Sequence, residues 1–152
     1  MEIAVLACGC FWGPEIKFSK LEGVIKTEVG YCGGNNKNTT YEEVCSGETN
    51  HAEVVKLNFD PKVISYEKIL NYFFEIHDPT TIDRQGPDIG TQYRSAVFYH
   101  SPKQQEAAKK SLDAQNASGK FRNPIMTEIT PHNHFYRAEE YHQRYFEKQG
   151  RH

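Results

Sequence analysis

The stretch Ile3-Ala4-Val5-Leu6-Ala7-Cys8-Gly9-Cys10-Phe11-Trp12-Gly13 decides how this chain is read. Residues 3–8 form a continuous apolar run, the pattern of a central, buried strand. Gly9 ends the run, and a helix is expected to begin near Phe11 and reach about Leu21. This junction puts Cys10 at or near a helix N-terminus, where backbone amides and the helix dipole stabilise a thiolate and lower its pKa. Glycines on both sides leave room for a ligand to approach the backbone. Phe11 and Trp12, the sole tryptophan, are placed to wall an apolar pocket beside the sulfur. The bland reading of the same residues is a small buried thiol among core aromatics.

Outward from this junction, strands and helices alternate. Val24 to Tyr31 is a strand candidate ended by Gly33-Gly34, and Thr40 and Glu43 have capping-box spacing for a short helix from Tyr41. Glu53 to Phe59 reads as a strand stopped by Asp60-Pro61, and its alternation puts Glu53 on the face shared by His51 and Val55. Ser65 to His77 carries a wide apolar helical face in Ile69, Leu70, Phe73, Phe74 and Ile76. A long loop, Asp78 to Gln92, follows, and loops of that length in compact domains are often functional. Tyr93 to Tyr99 is expected as a strand. Ser101-Pro102 starts a helix to about Asn116, Ile125 to Thr130 is a strand, and Ala138 to Lys148 a final helix. The fold class is mixed α/β (α+β), with residues 1–152 as a single domain.

The 152 residues are enough to bury roughly 70% of the unfolded surface. Hydrophobic residues make up 38%, with 9 Tyr and 9 Phe supplying bulk, so a core needs neither disulfide nor structural metal. The formal net charge of −2, with no run of five like charges, excludes bulk attraction to nucleic acid or an anionic membrane. No stretch approaches the roughly 18 apolar residues of a membrane span. The apolar opening lacks a basic flank, so it reads as a strand, not a signal peptide. A cytoplasmic protein is expected, most simply a monomer. In a reducing compartment its four cysteines are catalytic, redox-active or buried, not paired.

Gly9-Cys10-Phe11-Trp12-Gly13 resembles the active-site signature of the A-type peptide methionine sulfoxide reductases. The similarity continues through Gly30-Tyr31-Cys32-Gly33-Gly34, then Thr40 to Gly47, His51-Ala52-Glu53, His77-Asp78-Pro79, Arg84 to Ser95 and Phe135 to Gln143. These blocks run in the family's order along nearly the whole chain. The resemblance implies a mixed sheet flanked by helices in a ferredoxin-like two-layer core. It also implies thiol-dependent reduction of methionine (S)-sulfoxide, free or in oxidised proteins, as a repair activity.

Reduction of a sulfoxide by a thiol requires a thiolate, a proton for the oxygen and a seat for the S-methyl group. By resemblance Cys10 is the nucleophile and Glu53 the acid. A carboxyl beside an apolar pocket can keep its proton near neutral pH. The same carry-over gives Tyr41 and Tyr93 as phenol donors to the sulfoxide oxygen or a water, Asp88 as the residue fixing a water, and Phe11 and Trp12 as the methyl seat. Cys10 is left as a sulfenic acid, which a second thiol reduces through a disulfide. Without the resemblance, Glu53 could be an ordinary strand acid, Tyr41 and Tyr93 core residues with satisfied hydroxyls, and Asp88 a turn former.

Many family members carry resolving cysteines in a glycine-rich C-terminal tail. This chain has no cysteine beyond Cys45. The expected reductant is therefore external: thioredoxin, glutaredoxin or a small thiol, with no bound cofactor. Cys32, read as lying in a flexible turn, is the second choice as an internal resolver. Cys8 is two residues from the nucleophile, where a bridge would be strained, and Cys45 reads more simply as a buried thiol. Two other functions stay open. A thiol peroxidase would use the same low-pKa cysteine, although the aromatic pair argues for a methyl-bearing substrate. A zinc module is disfavoured, because cysteines 8, 10, 32 and 45 lack paired spacing and His132-x-His134 stands alone, so no metal is expected.

Overall fold

The computed structural model of the protein describes residues 1–34, 41, 50–132 and 134–150. Thr40, Glu43 and Cys45 lie outside the described residues. The first half is β1 (Glu2–Cys8), α1 (Trp12–Ser19), β2 (Val24–Cys32), β3 (Ala52–Phe59) and α2 (Tyr66–Glu75). After it come a short hairpin of β4 (Arg84–Gln85) and β5 (Asp88–Ile89), then β6 (Ser95–Tyr99), α3 (Pro102–Ala117), β7 (Glu128–Pro131), β8 (Tyr136–Arg137) and α4 (Tyr145–Lys148).

The main sheet has the order β7-β6-β1-β3-β2-β8. Its centre, β6-β1-β3-β2, is antiparallel at every neighbour. With α1 and α2 as crossovers this is the ferredoxin-like two-layer core. Strand β7 extends it parallel to β6, and β8 adds antiparallel to β2.

Strand alternation explains the two faces. Ala4, Leu6, Cys8, Val55, Leu57 and Val97 point to the face covered by the helices, where they meet Phe18, Ile69, Leu70, Phe73, Phe74 and Ala108. Val5, Ala7, Cys32, Ala52, Val54, Ala96 and Phe98 point to the opposite face and form a second cluster with Phe135. Because β1 is buried on both faces, it reads as an unbroken apolar run rather than an alternating one. Ser65 and Ser101 cap α2 and α3 by accepting from the amides of Lys68 and Gln104.

Three expected elements differ. Tyr93 is not in a strand: it ends a 3₁₀ turn, Thr91–Tyr93, and pairing begins only at Ser95. Residues 125–127 precede their strand because they bond elsewhere. The Met126 amide donates to the Pro79 carbonyl, and the Thr127 and Ser95 hydroxyls lie 2.8 Å apart. The expected helix from Ala138 to Lys148 is instead a strap, with a 3₁₀ turn at Glu140–His142, a left-handed Arg144 and only one helical turn after it. Side-chain to backbone bonds outcompete the helix there. Gln143 accepts from the Val29 amide and donates to the carbonyls of Val29 and Ala138, each at 2.9 Å. The Arg144 amide donates to the buried Glu15 carboxylate at 2.6 Å.

Candidate active site

Where β1 leaves the sheet, Gly9 has φ +92. A Cβ at this position would also come within 2.7 Å of the Gln85 side chain, so only glycine fits. The glycine therefore admits Gln85 rather than a ligand. Gln85 in turn closes the long loop onto itself, accepting from the Asp78 amide at 2.8 Å and donating to the Asp78 carbonyl at 2.7 Å. At Gly13 a Cβ would make only an ordinary 3.8 Å contact with Phe146, so that glycine is not demanded by space.

The turn delivers Cys10, half-buried, immediately before Phe11, which caps α1 with helical backbone angles and no side-chain cap of its own. The cap comes from another strand. The Phe11 amide donates to Oε1 of Glu53 at 3.3 Å. Glu53 lies on β3 opposite Tyr31 of β2 and is 1% exposed. Its Oε2 is buried and has no hydrogen-bond partner among the described residues. Burial pushes the Glu53 carboxyl up to about 8, against the Phe11 amide, which lowers it, and with the nearby Asp88 charge adding to the rise. Burial thus favours the neutral form of Glu53, with its bonded oxygen at the mouth of α1 and its other oxygen unmet among the described residues.

The remaining predicted residues are placed as follows. Asp88, on β5, lies within electrostatic reach of Glu53, and the 3₁₀ turn ending in Tyr93 packs against β3. The Tyr41 amide donates to Glu139 at 3.0 Å, and the Tyr31 hydroxyl donates to the other oxygen of the same carboxylate at 2.9 Å. Phe11 is fully buried, its ring 5.9 Å from Tyr31 and 5.2 Å from His142. Trp12 is half-buried and stacks on Tyr145 at 3.8 Å. Its indole N–H donates to Nδ1 of His142 at 3.0 Å.

Cys8 is close enough to Cys10 to feel its charge, but burial pushes its thiol up to about 12. Cys32 is not in a turn: it ends β2, pairs with Ala52, is fully buried and faces away from the helices. That face is opposite to the one Glu53 shares with Val55.

Sequence reasoning missed Gln85, Glu139 and His142. All three sit in matching blocks, Gln85 in Arg84 to Ser95 and Glu139 and His142 in Phe135 to Gln143, to which no role had been attached. Among the described residues no three His, Cys, Asp or Glu side chains gather as a metal site would require, and no helix is long and apolar enough to cross a membrane.

Comparison with known proteins agrees with this geometry. The model of the family described as "Peptide methionine sulfoxide reductase" matches residues 2–152. A Pelagibacter ubique protein named peptide methionine sulfoxide reductase MsrA is 66% identical over 148 residues, covering 97% of this chain and 99% of its own. The reduced form of Mxr1 from Saccharomyces cerevisiae superposes with a TM-score of 0.92 at 41% identity, over 98% of this chain and 86% of that one. Mxr1 in complex with Trx2 superposes at 0.68 with 31% identity, over 91% of this chain and 81% of that one. A cysteine at a helix mouth beside a buried neutral carboxyl, in a chain matched from end to end, shows that this protein belongs to the peptide methionine sulfoxide reductase family.

Proposed function

We propose that the protein reduces methionine (S)-sulfoxide, free or within oxidised proteins, to methionine, with Cys10 as the nucleophile and Glu53 as the proton donor. The observation that carries this reading is the buried Glu53, held at about 8 with one oxygen committed to the Phe11 amide. The committed oxygen is an acceptor, so the proton resides on Oε2, the oxygen without a partner among the described residues. A sulfoxide oxygen is a strong acceptor that must be protonated before it can leave sulfur, and Oε2–H answers that need.

Cys10 stands immediately before Phe11, the N-cap of α1, and the positive end of a helix dipole favours a thiolate. The thiolate attacks the sulfoxide sulfur to form an S–S bond while the oxygen takes the Glu53 proton; the protonated oxygen then passes to the Cys10 sulfur as the S–S bond and the methionine S–O bond break. Methionine leaves with its thioether restored, and Cys10 retains the oxygen as a sulfenic acid. The sulfur of methionine is reduced by two electrons and that of Cys10 oxidised by two. A thiol then attacks the sulfenic sulfur, releasing water and forming a mixed disulfide, and a second thiol frees Cys10. Trp12 seats the methyl group, backed by the buried ring of Phe11. Tyr41 and Tyr93 donate to the oxygen or to a water, and Asp88 anchors that water.

The thiol is external in this reading. Cys8 is protonated and buried, and Cys32 points to the other face of the sheet. The complex of the yeast relative with Trx2 supports a thioredoxin-type reductant, and the reaction belongs in the cytoplasm, where such thiols are kept reduced, with the protein acting as a monomer. The test is turnover of each sulfur epimer with excess dithiothreitol by the wild type and by Cys8→Ser, Cys32→Ser and Cys10→Ser. The S epimer should be reduced by all except Cys10→Ser. Turnover by Cys10→Ser would overturn the assignment.

A further inference from the structure

His142 is 1% exposed, and its ring is enclosed by the rings of Phe11, Trp12, Tyr41 and Tyr141 at 4.1 to 5.7 Å between centroids. Its bond to Trp12 fixes its chemical form. An indole N–H can only donate, so Nδ1 must be the acceptor and the ring proton must sit on Nε2. Nε2 is itself buried and has no hydrogen-bond partner among the described residues. The chain thus buries a polar donor while offering Trp12 an acceptor, an arrangement that an apolar residue at this place would avoid.

The strap that brings His142 to this place is tied down on both sides. Glu139 holds Tyr31 and Tyr41, and Gln143 holds Val29 and Ala138. The Trp12 ring is fixed from two directions, by Tyr145 stacked on its face at 12° and by His142 at its edge. Without the edge bond the indole can slide or rotate in the stack. With it, one orientation of the methyl seat is selected.

We propose that His142 is a positioning residue for substrate binding, acting through Trp12: its neutral imidazole locks the indole in the orientation that receives the substrate's methyl group. This rests on the methionine sulfoxide reading above. Its signature is in KM rather than kcat, because the locked wall binds substrate and transition state alike.

The test compares His142→Asn, whose side-chain oxygen can stand where Nδ1 stands, with His142→Leu, which has no acceptor. Each is also made in a Trp12→Phe background. With the wild-type indole, His142→Leu should raise KM for methionine sulfoxide roughly 5- to 15-fold at nearly constant kcat, the loss expected of one part-buried hydrogen bond. His142→Asn should recover most of that. With Phe at position 12 the two variants should be indistinguishable. Because Trp12 is the only tryptophan, its emission reports the bond directly. It should shift in His142→Leu and return toward wild type in His142→Asn.

Equal KM values for the Asn and Leu variants with the indole present would overturn the proposal, as would an effect of His142→Leu that persists in the Trp12→Phe background. If His142→Leu does not fold, His142→Asn against His142→Gln, which places its oxygen elsewhere, makes the same comparison. Should the wild type reduce no sulfoxide at all, the functional reading fails. The emission comparison would still decide whether His142 orders Trp12.

Discussion

Replacing Glu53 by Gln keeps the oxygen that accepts from the Phe11 amide and removes only the titratable proton. At pH 7 an ordinary carboxyl near 4.5 is protonated in roughly 0.3% of molecules, whereas one at about 8 is protonated in about 90%. Burial therefore supplies some 300-fold more of the acid form at neutral pH, by the same arithmetic. General acid catalysis of this kind contributes roughly 10²- to 10⁴-fold, or about 3–5 kcal/mol of barrier. The Gln variant should lose that much in the rate of methionine release, measured in a single turnover without reductant. The wild type should show an alkaline limb in kcat/KM, falling through about pH 8 as Glu53 ionises, and the limb should be absent in the variant. Stability runs with a matching sign. Between 4.5 and 8 the native state keeps a proton that the unfolded chain has lost, so Glu53 makes the fold less stable as pH rises. Glu53→Gln should be the more stable protein at pH 8 to 9, by up to about 5 kcal/mol, and equal to the wild type near pH 4. A Gln variant that releases methionine at the wild-type rate, or a wild-type rate that keeps rising past pH 9, would refute the assignment of the acid.

Other perturbations follow from the same contacts. Gly9→Ala, forced to φ +92 against Gln85, should lower stability by about 1–3 kcal/mol in urea unfolding and slow methionine release by displacing Cys10. Gln143→Leu takes away the Gln143 partner of the Val29 amide and of the Ala138 carbonyl, while the Val29 carbonyl keeps the Ala138 amide, and should cost about 2–4 kcal/mol, read by the same unfolding curve. His77 donates from Nδ1 to the Phe73 carbonyl and accepts from Ser95 at Nε2, and burial holds it down at about 4. The unfolded chain binds a proton at His77 between pH 6.5 and about 4 while the native state does not, so stability should fall as pH is lowered through that window. A His77→Gln variant should show a shallower fall in acid titration followed by circular dichroism.

Much of the fold was legible because local signals agreed with the tertiary outcome. The apolar run at residues 3–8 became the central strand, and Ser65 and Ser101 capped the helices they preceded. The reading failed where long-range side-chain bonds override propensity. Ala138 to Lys148 has a helical composition, yet Gln143 and Glu15 spend their hydrogen bonds on backbone 114 and 129 residues away in sequence. No window of sequence contains both partners. The setting of Cys10 was legible, because a strand, a glycine and a helix meet there within a few residues. The neutrality of Glu53 was not, because alternation shows only its face, while its pKa depends on the neighbours that bury it. Cys32 looked like a turn residue because two glycines follow it, yet pairing with β3 runs through it.

The most direct test uses fully reduced protein, methionine (S)-sulfoxide and no added thiol. Methionine released, thiols lost and the mass of the Cys10 peptide are measured together. The mechanism predicts one methionine and one thiol lost per chain, with the added oxygen on Cys10 trapped by a sulfenic-acid reagent. No methionine from folded protein with an accessible Cys10, or methionine released with all four thiols of the chain intact, would contradict it.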